Sequence, residues 1–87
     1  MSTFEKMKEK IMRTPTVNDI MPKELQNFLE KYGFIRKSVK GSHFIYAYPT
    51  TNKVFILNIP MHKPVKPTYI DQMRDRIIEI EGDKYDE

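Results

Sequence analysis

At Gly33 the apolar pattern of the sequence changes period. Upstream, Leu25, Phe28, Leu29 and Tyr32 recur at the spacing of one helix face, and Gly33 supplies a left-handed stop. Downstream come three short runs rich in aromatic and β-branched residues: 34–40, 43–48 (HFIYAY) and 54–59 (VFILNI). Gly41-Ser42 separates the first two, because glycine accepts positive φ without steric cost. The segment 49–53 (PTTNK) separates the second pair. Connections this short leave an antiparallel meander as the simplest solution.

Helical signals flank the meander. Phe4, Met7 and Ile11 mark a short amphipathic helix over residues 3–13, with Ser2 or Thr3 as cap and Thr14-Pro15-Thr16 as stop. Pro22 suits the first turn of the second helix. The segment 60–67 (PMHKPVKP) holds three prolines and reads as a stiff extended loop. A last helix is expected to begin at Thr68, with Asp71 in a capping-box position, Ile70, Met73, Ile77 and Ile80 as its buried stripe, and Gly82 as its end. The order α-α-β-β-β-α describes an α+β fold whose helices cover one face of a three-stranded antiparallel sheet. Phe44, Tyr46 and Tyr48 share the face expected under the helices. His43, Ile45 and Ala47 share the open one.

Size narrows the function classes. With 87 residues the chain makes one small domain and leaves no room for separate cofactor and substrate domains. It contains no cysteine, which removes disulfides, thiolate nucleophiles and cysteine-based zinc sites. With only two histidines, His43 and His62, a protein-built zinc site would need carboxylates to fill it, so no metal or cofactor is expected. Residues 1–13 lack the unbroken apolar stretch of a signal peptide, and no segment approaches the ~20 apolar residues of a membrane span. The expectation is a soluble cytoplasmic protein.

The net charge of +3 averages three unlike segments. Residues 1–30 carry five basic and five acidic side chains. Residues 31–70 carry seven basic ones (Lys31, Arg36, Lys37, Lys40, Lys53, Lys63, Lys66) and no acidic one, and 71–87 carry three basic and seven acidic ones. A forty-residue stretch free of Asp and Glu is either a lysine-rich solvated surface or a footprint for a polyanion.

Gly41-Ser42-His43 is the sharpest local feature. A turn presents a hydroxyl and an imidazole at the start of a strand, with Lys37 and Lys40 nearby in sequence. Imidazole is the side chain best suited to proton transfer near neutral pH. RNA brings its own nucleophile, the 2′-OH, so its cleavage needs a base, an acid and positive charge at the phosphate. His62, between Pro60 and Lys63, is a candidate for the second acid/base or for a phosphate ligand. Ser42 has no carboxylate nearby in sequence to orient a triad, and suits a phosphate contact or the turn itself. Tyr46 and Tyr48 are candidates for stacking on bases or for the core.

Four segments together resemble the HicA (YcfA-like) toxin family: LQNFLEKYGF at 25–34, GSHFIY at 41–46, NIPMH at 58–62 and KPTYIDQMRDRI at 66–77. They lie in the family's order and span about residues 16–80. The resemblance implies a double-stranded-RNA-binding-domain-like α-β-β-β-α fold, here with an extra N-terminal helix. It divides the chain into a helical extension (1–15), the domain (16–82) and an acidic tail (83–87). It further implies metal-independent messenger-RNA cleavage centred on His43, and a HicB-type antitoxin that masks this surface. One departure stands out: many relatives read G-S-H-H, and this chain has Phe44 in place of the second histidine.

The expected site is therefore His43 as catalytic base or acid, His62 as second candidate, Lys37, Lys40, Ser42, Lys63 and Lys66 as RNA contacts, and Gly41 as the turn. A non-catalytic RNA-binding module, or a protein-interaction domain using the open sheet face, are the alternatives.

Overall fold

In the computed structural model, residues 2–85 are described, with side chains through position 82. Helix α1 (Thr3–Met12) begins at Ser2, whose Oγ accepts a hydrogen bond from the Glu5 amide at 3.1 Å. Helix α2 (Pro22–Tyr32) has its proline in the first turn. It ends at Gly33, where φ is +121°. The positive φ favours glycine here, and a Cβ would also crowd the Tyr48 ring at 3.1 Å.

Strands β1 (Ile35–Lys40), β2 (His43–Pro49) and β3 (Val54–Pro60) form an antiparallel sheet in the order β1-β2-β3. Phe34, expected to open the first strand, instead sits buried between α2 and β1. Phe44, Tyr46 and Tyr48 pair with Ile59, Leu57 and Phe55, all three of which are buried. Directly opposed residues share a face, so the larger rings lie under the helices as their size suggests. Helix α2 packs against β1 and α3 (Pro67–Tyr85) against β3. Helix α1 packs on α2 and α3 and contributes Met7 and Ile11 to the core. The other face of the sheet carries no helix among the described residues.

Three expectations about the chain's second half need correcting. Helix α3 begins at Pro67, so Thr68 is already inside it. The Lys66 carbonyl accepts from the Tyr69 and Ile70 amides, the role of a cap residue. Asp71 does not close a capping box: its carboxylate accepts the Thr16 hydroxyl and pairs with Arg74 at 3.2 Å. The carboxylate is thus turned to Thr16 across the fold and to Arg74 one turn on, rather than back to the helix start. Gly82 does not end the helix either. It lacks the positive φ of a helix-stopping glycine, and α3 continues to Tyr85. The beginning of the expected acidic tail is thus helical, and positions 86 and 87 lie outside the described residues.

The proline-rich loop is pinned at both ends. The Met61 amide donates to the Ser42 carbonyl at 2.6 Å, and the His62 amide to the Pro60 carbonyl at 3.1 Å, a three-residue turn. Val65 is fully buried and its amide donates to the Ile20 carbonyl at 2.8 Å. The start of α3 is thereby held beside the end of β3.

Candidate functional site

The β1–β2 turn sets the position of the imidazole. Gly41 has φ +60°, which reverses the chain within two residues. Lys40 then stands opposite His43, and His43 opposite Pro60. Lys40 and His43 therefore project from the same, helix-free face. Further along that face come Ser38, Ile45 and Asn58 as one cross-strand row.

A β-bulge between Arg36 and Ser38 governs the rest of β1. Lys37 is the extra residue, and the alternation reverses across it. Arg36, opposite Tyr46, lies on the helix side with its guanidinium carbon 5.8 Å from the Phe44 ring centroid. The bulge thus keeps Lys40 on the open face while turning Arg36 away from it.

His43 lines an open cleft of about 270 Å³ with Asn58 and Pro60 from β3 and Tyr69 and Gln72 from α3. His43, Asn58 and Gln72 are exposed and Tyr69 is half-buried. The His43 ring forms no hydrogen bond or ion pair with any described residue. Such a group can exchange a proton with a molecule seated in the cleft. Sequence reasoning missed Asn58, Tyr69 and Gln72. Asn58 had a signal, as the one amide in an otherwise apolar strand (VFILNIP). Tyr69 and Gln72 flank the Ile70/Met73 stripe, and only the helix placement decides which flank meets the sheet.

The other expected residues are distributed around this cleft. Ser42 is half-buried, and its carbonyl holds the Met61 amide. His62 follows immediately on an exposed turn, which brings its backbone beside the Gly41-Ser42-His43 segment, although its ring is not part of the cleft lining. Lys63 and Lys66 are exposed on the loop leading into α3, and Lys37 is exposed at the bulge. None of Lys37, Lys40, Lys63 or Lys66 pairs with a carboxylate among the described residues. Three acidic side chains of α3 are engaged elsewhere: Asp71 with Arg74, Glu79 with Arg76, and Glu81 with Lys8.

The tyrosines of β2 belong to the core rather than to a stacking platform. Tyr46 is fully buried, its hydroxyl has no hydrogen-bond partner among the described residues, and burial pushes its phenol pKa up. Tyr48 packs against Tyr32 and Phe34. Phe44 lies on the helix side against Tyr46, centroids 6.5 Å apart, so position 44 projects away from the face that carries His43.

No group of three or more His, Asp or Glu side chains among the described residues could hold a metal ion. No helix among them is long and apolar enough to cross a membrane. Comparison with curated proteins and with solved structures returned no match. Among family models, that of the HicA toxin of bacterial toxin–antitoxin matches residues 22–78, from the first residue of α2 through the whole sheet and into α3. With well over half of the chain matched, and the α-β-β-β-α order in place, the chain belongs to the HicA toxin family of bacterial toxin–antitoxin systems.

Proposed function

We propose that this protein is the toxin of a type II module and acts as a metal-independent endoribonuclease on messenger RNA, with His43 as its proton-transfer group. The observation that carries this reading is the exposed, unpartnered His43 imidazole at the cleft, with the Lys40 ammonium on the same sheet face. In the reaction the substrate's 2′-oxygen attacks the adjacent phosphorus, an O2′–P bond forms and the P–O5′ bond breaks. One proton leaves the 2′-OH and another reaches the departing 5′-oxygen, giving a 2′,3′-cyclic phosphate and a 5′-hydroxyl. His43 serves as the base or the acid. His62 is the candidate for the complementary role, since its backbone lies next to the Ser42 turn. Lys40, with Lys37, Lys63, Lys66 and the Ser42 hydroxyl, holds phosphates and offsets charge on the pentacovalent intermediate. Because position 44 faces the helices, Phe44 leaves this arrangement intact. Residues 16–82 are taken as the working domain, with 1–15 as a helical extension.

A HicB-type antitoxin is the proposed protein partner. Ile35, Ala47 and Ile56 form one cross-strand row on the open face, with Val54 beyond it, and Ile35, Ile56 and Val54 are 47%, 51% and 55% exposed. An apolar row adjoining the His43 cleft suits a partner that covers both at once. The same row favours the second reading, a protein-interaction domain without catalysis. Incubating purified protein with RNA in EDTA separates them: cleavage by the wild type that disappears in His43→Ala supports the nuclease, and an unchanged rate in that variant removes His43 from the chemistry.

A further inference from the structure

We propose that the cleft beside His43 is a subsite for one unpaired nucleobase, with Tyr69 as the stacking platform and the Asn58 and Gln72 amides reading the base edge. This rests on the ribonuclease reading only in taking the bound strand to be the one cut at His43.

The lining residues are His43, Asn58, Pro60, Tyr69 and Gln72. None is a carboxylate, and none is a lysine or arginine. A phosphate would seek the unpaired lysines outside the cleft, so the cleft itself suits an uncharged, flat, polar-edged group. At about 270 Å³ it lies just below the ~300–1,000 Å³ of pockets that enclose whole small ligands. That size fits one fragment of a longer molecule.

Each side chain supplies something a base requires. The amides of Asn58 and Gln72 each carry donors and an acceptor, and neither side chain is engaged by another described residue. They come from different elements, β3 and α3, so they approach a ligand from two directions. Tyr69 is half-buried, packs on the core and lies in the first turn of α3 with its amide bonded to the Lys66 carbonyl at 2.9 Å. A ring held this way loses little freedom when a base stacks on it. Bases in a duplex present neither face nor pairing edge, so this subsite selects unpaired nucleotides, the usual targets of sequence-reading RNA proteins.

The test uses wild-type protein and a tetranucleotide with 2′-deoxy sugars, which cannot be cleaved because the nucleophile is missing. Its partner probe is the same sugar–phosphate backbone without bases. The base-bearing probe is expected to bind about tenfold more tightly and to shift the side-chain amide signals of Asn58 and Gln72 in the NMR spectrum. Tyr69→Phe keeps that gain and Tyr69→Ala loses it. Asn58→Ala and Gln72→Ala, at exposed positions, reduce it and serve if Tyr69→Ala fails to fold. Equal affinity for the two probes overturns the proposal, as does a gain that survives in all of the alanine variants. So do amide signals that respond to an antitoxin protein and not to the oligonucleotide. No step of the test depends on cleavage, so failure of the nuclease reading leaves a distinguishable result.

Discussion

Lys40 stands directly opposite His43 in the β1–β2 ladder, and the bulge at Lys37 keeps the two on the helix-free face of the sheet. In the proposed reaction the Lys40 ammonium, on the same sheet face as the His43 imidazole, is the phosphate contact nearest the proton-transfer group. Lys40→Ala is expected to weaken binding of uncleavable single-stranded RNA and to lower the slope of log affinity against log salt by about 0.7, the share of one phosphate contact. Lys40→Glu weakens binding further. Anisotropy titrations at several salt concentrations provide the check, and an unchanged slope in Lys40→Ala removes this lysine from the phosphate contacts.

Tyr46 has a buried hydroxyl with no hydrogen-bond partner among the described residues. Leaving such a group unsatisfied costs free energy, so Tyr46→Phe is expected to be neutral or to stabilise the fold by up to about 1 kcal/mol. Because the ring faces the helices, RNA binding is expected to stay the same. Urea unfolding and the binding assay together test both statements; a loss of affinity with stability intact would put Tyr46 at the RNA surface after all.

The meander was readable because each boundary carries its own local signal: Gly33 at positive φ, Gly41 in the hairpin, and aromatic runs between them. The Lys37 bulge was not readable. One extra residue leaves the order Ile-Arg-Lys-Ser-Val-Lys unchanged while reversing which side chains face outward, and only the partner strand reveals it. The start of α3 is hidden from the sequence for a related reason. Thr68 and Asp71 have capping-box spacing, but the Asp71 carboxylate is held by Thr16, 55 residues away in sequence, as well as by Arg74 one turn on. His43 was legible from its residue type and turn. Asn58, Tyr69 and Gln72 were not, because their association is a product of how α3 lies along β3.

Arg74 ties the N-terminal helix to the rest of the molecule. Its side chain donates to the Ile11 and Arg13 carbonyls and to the Thr16 hydroxyl, each at 2.9 Å, and pairs with Asp71. Arg74→Ala is expected to destabilise the fold by roughly 2–3 kcal/mol, since charge-assisted bonds to partly buried acceptors are lost. Hydrogen exchange is expected to accelerate first in α1. Exchange that rises equally throughout the chain would show that α1 is not held separately by this residue.

Tyr32 titrates above the ordinary tyrosine range, chiefly because burial disfavours the phenolate and also because its hydroxyl donates to Glu81 at 3.0 Å. The unfolded phenol releases its proton near pH 10, before the folded one. The stability contribution is therefore complete below about pH 10 and is lost as pH rises toward the folded value. Urea midpoints measured from neutral to alkaline pH are expected to fall more steeply above pH 10 in the wild type than in Tyr32→Phe. Parallel curves would contradict the assignment.

The most direct test of the whole account follows a defined single-stranded RNA in EDTA with purified wild-type and His43→Ala protein, mapping the ends of every product. Wild-type protein is expected to give fragments ending in a 2′,3′-cyclic phosphate and a 5′-hydroxyl, and a folded His43→Ala protein none. Equal cleavage by both proteins, or no cleavage by a wild type that binds the RNA, would contradict it.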